Sequence, residues 1–319
     1  MKKVLILFGG NSYEHEISCK SVNFIIKNID KKKFNFRVVG IDFNNEWYKI
    51  DNIDYIDKNW KRNVNNKIDN IIKYLKSFDI VFPMIHGNTL EDGKLQSLFE
   101  LYNIKYVGCN SLSSLICYDK SLTKLLVNEY DIPQVPYFLY NKKLNLDNIE
   151  YSVIIKPCKC GSSIGINIAN NKKELTKGIK IAKKYDNKII IEKYIKNKRE
   201  LECAILETKN KLIISDIGEI ISNEWYDYNS KYNSNTKTSI SNIDKKIKEQ
   251  IKYYSKEIFK ILDCKSLSRI DFLYDLDNNK LYFNEINTMP GFTNISMYPT
   301  LLMNLGINPK KLITTLINI

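Results

Sequence analysis

Acidic and amide side chains alternate with apolar ones in two segments near the end of the chain, Arg269-Ile270-Asp271 and Glu285-Ile286-Asn287. In extended chain, alternate residues share a face, so Arg269 lies with Asp271 and Glu285 with Asn287. A turn centred near Asn278 sets Asp271 opposite Glu285 and Arg269 opposite Asn287, with side chains about 5 Å apart across the ladder. Opposed carboxylates repel unless a cation or a shared proton lies between them. The plain alternative is a solvated polar face. Against it, simple alternation places Leu281 and Phe283 on the face that carries Glu285. Asp, Glu and Asn are oxygen donors, which suit magnesium with its phosphate oxygens and waters better than zinc. Asp271, Glu285 and Asn287 are therefore expected to hold a metal ion of magnesium's kind. The Met289-Pro290-Gly291 turn beyond them can bring a backbone N–H close to a substrate.

A second group of residues points to anions. Gly161-Ser162-Ser163-Ile164-Gly165 follows an apolar strand that ends in Lys156, and such a loop offers N–H groups and hydroxyls to phosphate or carboxylate oxygens. A lysine at the end of an apolar strand needs an anionic partner, because an unpaired charge there is costly. The same loop fits G-x-S-x-G, the nucleophile elbow of serine hydrolases, but Ile166 to Ala169 reads as extended where an elbow needs a helix. Both histidines, His15 and His86, also precede the serine. A Walker A loop is absent: Gly87 and Gly93 are one residue too far apart, and Leu95 follows Lys94 where Ser or Thr is required. Trp225-Tyr226-Asp227-Tyr228 followed by Lys231-Tyr232 sets aromatics beside a cation in a polar stretch. Anchoring of a surface loop explains Tyr226 and Tyr228 equally well.

Periodicity indicates the elements that must carry these residues. Strands at 4–8, 36–42 and 80–84 alternate with helices at 17–29, 68–76 and 94–102, as in a parallel sheet, and make one domain over 1–108. A helix over 111–130 opens the segment 109–193, followed by strands at 151–156, 164–169 and 188–194 and a helix at 172–185. The segment 194–319 has strands at 201–206 and 212–218, a polar loop over 222–242 of the kind that serves as a lid, a helix at 245–262 and the hairpin.

The 319 residues are enough for two or three domains, and 44% hydrophobic with 27% charged residues is a globular balance. Apolar runs fall far short of the roughly 20 residues that span a bilayer, so no membrane association is expected. The opening Met1-Lys2-Lys3-Val4-Leu5-Ile6-Leu7-Phe8 imitates a signal peptide, but Gly9-Gly10-Asn11 ends it and no small-residue cleavage site follows; a cytoplasmic protein is expected. Seven scattered cysteines argue for free thiols rather than a disulfide framework. The net charge of +13 comes from lysine spread along the whole chain rather than from a basic stripe, which argues against nucleic acid and is compatible with an anionic small molecule.

Taken in order, Gly9-Gly10, Glu14-x-Glu16-Ile17-Ser18, His86-Gly87, Glu91-Asp92-Gly93, Asp119-Lys120, Lys156-Pro157, Gly161-Ser162-Ser163-x-Gly165, Glu192-Lys193, Tyr226-Asp227-Tyr228-x-x-Lys231-Tyr232, Arg269-Ile270-Asp271 and Glu285-Ile286-Asn287-Thr288-x-Pro290-Gly291 resemble the D-alanine–D-alanine ligases. The resemblance runs from Val4 to about Gly306. It implies an α/β (α+β), three-domain ATP-grasp fold with an N-terminal Rossmann-like parallel-sheet domain, and ATP-dependent joining of two D-alanines through an acyl phosphate, for peptidoglycan synthesis. By that resemblance, Lys120, Lys156 and Lys231 hold ATP phosphates, Glu192, Lys193, Tyr194 and Ile195 line the adenine pocket, and Glu200 meets the ribose. Asp271, Glu285 and Asn287 hold Mg2+ or Mn2+, with two ions expected. Glu14 binds the first D-alanine with His86 nearby, and Ser162 and Tyr232 join Glu14 in closing the lid. Arg269 and the Gly291 N–H stabilise the oxyanion, while Ser296 and Met297 meet the second D-alanine. A homodimer is implied as well. Leu90, Ser97, Asp263 and Ser266 stand where the family has small or Gly residues, and Cys160 where a charge is common. Two rival readings use D-serine or D-lactate as second substrate, or a non-catalytic nucleotide-binding or nucleic-acid-binding protein.

Overall fold

The computed structural model describes residues 1–60, 64–143, 145–221 and 237–319. Its first sheet is built from β1 (Lys2–Gly9), β2 (Phe34–Ile41), β3 (Trp47–Lys49) and β4 (Ile80–Pro83), in the order β3-β2-β1-β4. β1 runs parallel to β2 and β4, while β3 adds an antiparallel edge. Val4 to Phe8 are fully buried, as a central strand covered on both faces requires. Helices α1 (His15–Asn28), α2 (Ile71–Leu75) and α3 (Lys94–Leu101) follow these strands. α2 is shorter than the apolar pattern over 68–76 suggests, because the Asn70 side chain accepts from Lys73 N at 2.9 Å and starts the helix late.

The expected helix over 111–130 is two helices, α4 (Ser111–Tyr118) and α5 (Lys120–Asn128). Asp119 between them is extended (ψ 100°), and its carboxylate accepts from Ser121 N at 3.0 Å and Leu122 N at 3.3 Å, capping the second helix. Next comes an antiparallel sheet of β5 (Tyr137–Leu139), β6 (Val153–Pro157), β7 (Asn167–Ala169) and β8 (Ile189–Lys193), ordered β5-β8-β6-β7, with α6 (Lys172–Ala182) against it. β7 starts later than the sequence suggests. Ser162, Ser163 and Gly165 take left-handed φ values of 51°, 58° and 74°, so the Gly/Ser segment is a loop until Asn167.

The third sheet holds β9 (Lys198–Glu207), β10 (Leu212–Ile221), β11 (Lys237–Ile240), β12 (Leu267–Asp275) and β13 (Lys280–Asn287), ordered β11-β10-β9-β12-β13. α7 (Lys245–Ile261) covers one face, and α8 (Met297–Asn304) and α9 (Pro309–Ile317) end the chain. Alternation along β9 divides the layers: Leu201, Cys203 and Ile205 enter one core with Ile258, Phe259, Ile270 and Phe283, whereas Ala204 and Leu206 enter another. That other core is the one around β1. It also takes in Phe292, Tyr298, Leu301, Leu312 and Leu316, so the end of the chain completes the interior of its beginning. Asp263 and Ser266, at φ 47° and 63°, occupy the left-handed turns that join α7 to β12, which accounts for the small residues expected there. All seven cysteines are free. No helix among the described residues is long and apolar enough to cross a membrane.

Candidate active site

One face of β9 and β12 carries Glu200, Glu202, Arg269 and Asp271, with Asp271 registered against Glu202 on one side and Glu285 on the other. Arg269 pairs with Asn287, as expected from alternation. The route to that register differs from the simple reading, because β12 and β13 shift by one residue between Asp271 and Phe272. Beyond the shift Phe272 meets Phe283, which leaves Asn284 as the extra residue of a β-bulge. The bulge reverses the phase of β13: Leu281 and Phe283 are core residues, and the face of Glu285 is not theirs.

The two opposed carboxylates each face a cation of the chain. Arg269 donates to Asp271 through Nε at 2.8 Å and Nη2 at 2.7 Å, and its Nε lies 3.0 Å from Glu202 Oε2. Asn287 Nδ2 adds a bond to Asp271 Oδ2 at 3.0 Å. Burial works against the guanidinium charge, but Asp271 and Glu202 outweigh it and hold the arginine pKa well above its usual value. Glu285 lies 3.2 Å from Lys120 Nζ, and here too the carboxylate overcomes burial and raises the lysine. Among the described residues no three His, Cys, Asp or Glu side chains converge as a metal site. The hairpin instead offers two carboxylates and an amide, a hard-oxygen set that leaves positions for phosphate oxygens and fits magnesium chemistry.

A cavity of about 460 Å³ opens beside this hairpin, within the size range of small-molecule sites. Lys120, Lys156, Ser162, Glu192, Lys193, Tyr194, Ile195, Glu200, Asp271 and Glu285 line it. The structure thus gathers ten of the residues that the sequence singled out. Lys156, at the end of β6, finds the anionic partner it needs in Glu192 at 2.7 Å, and also donates to Asn284 at 3.1 Å. Burial pushes the Glu192 carboxyl up, but Lys124 and Lys156 pull it down to about 2. Lys198 lies over the Tyr194 ring, 4.9 Å from its centroid, and 3.5 Å from Glu200.

The Gly/Ser loop lies between this cavity and the first sheet. Ser162 donates its hydroxyl to Glu14, the residue that precedes α1, and Lys120 fastens the loop through Cys160 O at 2.8 Å. Gly161 packs closely on Glu14: a Cβ there would come within 2.7 Å of the carboxylate and displace it. His86 is fully engaged with the protein: Nδ1 faces Met289 O at 3.0 Å and so carries the proton, and Nε2 accepts from Ser21 at 2.9 Å. Burial lowers its pKa, which keeps it neutral and makes it a brace for the turn that bears Gly291. Ser296 Oγ accepts from Thr293 N at 3.0 Å and would meet a side chain on Gly291 at the same distance. Met297 buries its side chain in the first core, against Gly218 of β10. Lys231 and Tyr232, with most of the stretch 222–242, fall outside the described residues.

Sequence reasoning assigned nothing to Glu91, Glu202 or Asn284. Glu91 accepts from Gly87 N at 2.8 Å, and burial followed by the nearby Glu14 raises it to about 8. Glu202 was accessible from alternation, two residues beyond Glu200 on the same face; Asn284 was not, because the bulge that turns it toward Lys156 has no signature in the residue types.

A pair of antiparallel sheets with paired lysines, a Gly/Ser loop and an acidic hairpin around one cavity defines an ATP-grasp enzyme. Family models described as D-ala D-ala ligase N-terminus and D-ala D-ala ligase C-terminus match residues 3–109 and 126–318. The chain belongs to the D-alanine–D-alanine ligase family, and it is an ATP-dependent carbon–nitrogen ligase. A relative named D-alanine–D-alanine ligase from Acetivibrio thermocellus is 39% identical, covering 100% of this chain and 95% of its own. Among solved structures, the VanG D-Ala:D-Ser ligase from Enterococcus faecalis superposes with a TM-score of 0.86 at 32% identity, covering 99% and 98%. The D-alanine–D-alanine ligase from Bacillus anthracis complexed with ATP does so with a TM-score of 0.78 at 26% identity, covering 100% and 97%.

Proposed function

We propose that the chain joins two D-alanines to D-alanyl-D-alanine at the expense of ATP, as a step in building peptidoglycan. The observation that carries the reading is the meeting, in one cavity, of a lysine pair, the segment Glu192 to Ile195 and the acidic hairpin. Lys120 and Lys156 bind the phosphates of ATP, Glu192 to Ile195 receive the base, and Glu200 the ribose. Asp271, Glu285 and Asn287 would hold Mg2+ or Mn2+, which when bound neutralises the phosphate oxygens. Glu14, braced by Ser162, binds the ammonium of the first D-alanine and turns its carboxylate toward the terminal phosphate. Phosphoryl transfer forms a C–O–P acyl phosphate and releases ADP; the amine of the second D-alanine then attacks the carbonyl, and phosphate leaves. Arg269 and the Gly291 N–H stabilise the oxyanion formed in that attack. For Arg269 this means exchanging part of its contact with Asp271 and Glu202 for substrate. Ser296 and Met297 are assigned to the second amino acid. Lys231 and Tyr232 are assigned to the lid, which excludes water from the acyl phosphate.

The protein is further proposed to act in the cytoplasm and as a homodimer. Purified protein is expected to release phosphate from ATP only when D-alanine and magnesium are both present; none under those conditions overturns the reading. Because one of the similar structures is a D-Ala:D-Ser ligase, D-serine and D-lactate belong in the same assay as competitors for the second site, with D-alanine preferred. Sedimentation of the purified chain tests the dimer.

A further inference from the structure

Lys124 lies one helical turn along α5 from Lys120 and is 1% exposed, a rare burial for a lysine. Its ammonium is 3.2 Å from Glu192 Oε1 and sits over the Tyr137 ring, 5.4 Å from the centroid. The other carboxylate oxygen of Glu192 belongs to Lys156 at 2.7 Å. One buried anion is thus shared by two cations, and their situations differ: Lys156 lines the nucleotide cavity, whereas Lys124 lies behind it and does not. β5 and β6 fix the group from both sides, since Tyr137 and Ile154 are the register partners of Glu192 on β8.

When Lys156 is drawn toward a nucleotide, its contact with Glu192 weakens. Were Lys156 the sole partner, a fully buried carboxylate would then stand without a counter-charge, and that penalty would oppose binding. We infer that Lys124 is a positioning residue for the nucleotide: it keeps Glu192 ionised and fixed while Lys156 exchanges Glu192 for ATP. The triad keeps one excess positive charge at the wall of the cavity, and this charge faces an anionic ligand. The inference rests on the reading of this cavity as the ATP site.

The test is equilibrium binding of magnesium ADP to the full chain and to Lys124→Met, Glu192→Gln and the double variant, with the KM for D-alanine measured alongside. Methionine keeps the length and apolar stem of lysine and removes only the charge. Lys124→Met is expected to bind ADP about tenfold or more weakly, with the KM for D-alanine unchanged. Because Lys124 acts through Glu192, the double variant is expected to bind no worse than Glu192→Gln alone. The double variant removes both charges, so it keeps the comparison meaningful if the single lysine variant folds poorly. ADP affinity of folded Lys124→Met within about twofold of wild type overturns the inference, as do independent, additive losses in the double variant. Wild-type protein that fails to bind ADP overturns instead the assignment of the cavity to ATP.

Discussion

Asp271 is a carboxylate already paired with a cation of the chain itself. Its two oxygens are taken by Arg269 and Asn287, so any metal bound there competes with a guanidinium already in place. Glu192 is the other residue whose charge state is set by its neighbours. Its carboxyl is held at about 2 in the folded protein against an ordinary value of 4.5. A depressed carboxyl contributes stability that is fully present above its unfolded pKa and is lost as pH falls through the folded one, here from about pH 4.5 to about pH 2. Glu192→Gln is therefore expected to be less stable than wild type at pH 6 by up to about 3 kcal/mol. The gap between their urea midpoints should close as pH is lowered through that window; a gap that stays constant would show that the carboxylate charge is not what the two lysines stabilise.

Among the elements, the hairpin β12–β13 was read correctly at the site by two differences that cancel. Its register near the turn pairs Asp275 with Lys280, one residue short of a turn centred on Asn278, and the bulge at Asn284 restores the missing residue before Glu285. Residue types fix which positions alternate; they do not report a bulge, which is set by how β12 packs between β9 and β13. The helix pair α4 and α5 was missed for a related reason. Apolar periodicity continues across Asp119, and only the capping bonds of its side chain reveal that Lys120 begins a new helix whose first turn points at the cavity. Lys188 adds to the cap, 3.0 Å from Asp119 Oδ2. Asp119→Ala is expected to cost about 1–2 kcal/mol in chemical unfolding. It should also weaken nucleotide binding by loosening Lys120, while Asp119→Asn, which keeps the cap, recovers most of the stability. Equal losses in the two variants would show that the cap is not the source. The Gly/Ser loop is legible only in part: closely spaced glycines and serines mark a loop in any fold, but the left-handed turns at Ser162 and Ser163 carry it on to Asn167, where a strand from 164 is expected.

At the scale of the molecule, composition correctly indicated a globular chain with free thiols, and it could not show how the layers close on one another. Periodicity assigns residues to faces, but long-range partners such as Phe24 with Phe292 come only from the assembled fold. The interior around β1 is finished by Phe292, Tyr298, Leu301, Leu312 and Leu316, and Lys2 Nζ donates to Ile317 O at 2.6 Å. Deleting residues 309–317 is therefore expected to lower the unfolding temperature by several degrees and to expose apolar surface that binds a hydrophobic dye. An unchanged melting curve would mean that the last helix is not part of the core. A chain made from its first residue onward meets an unusual schedule as a result. The opening hundred or so residues leave the ribosome long before the helices that seal them, so that part of the chain waits, incompletely covered, for the last helix to be synthesised.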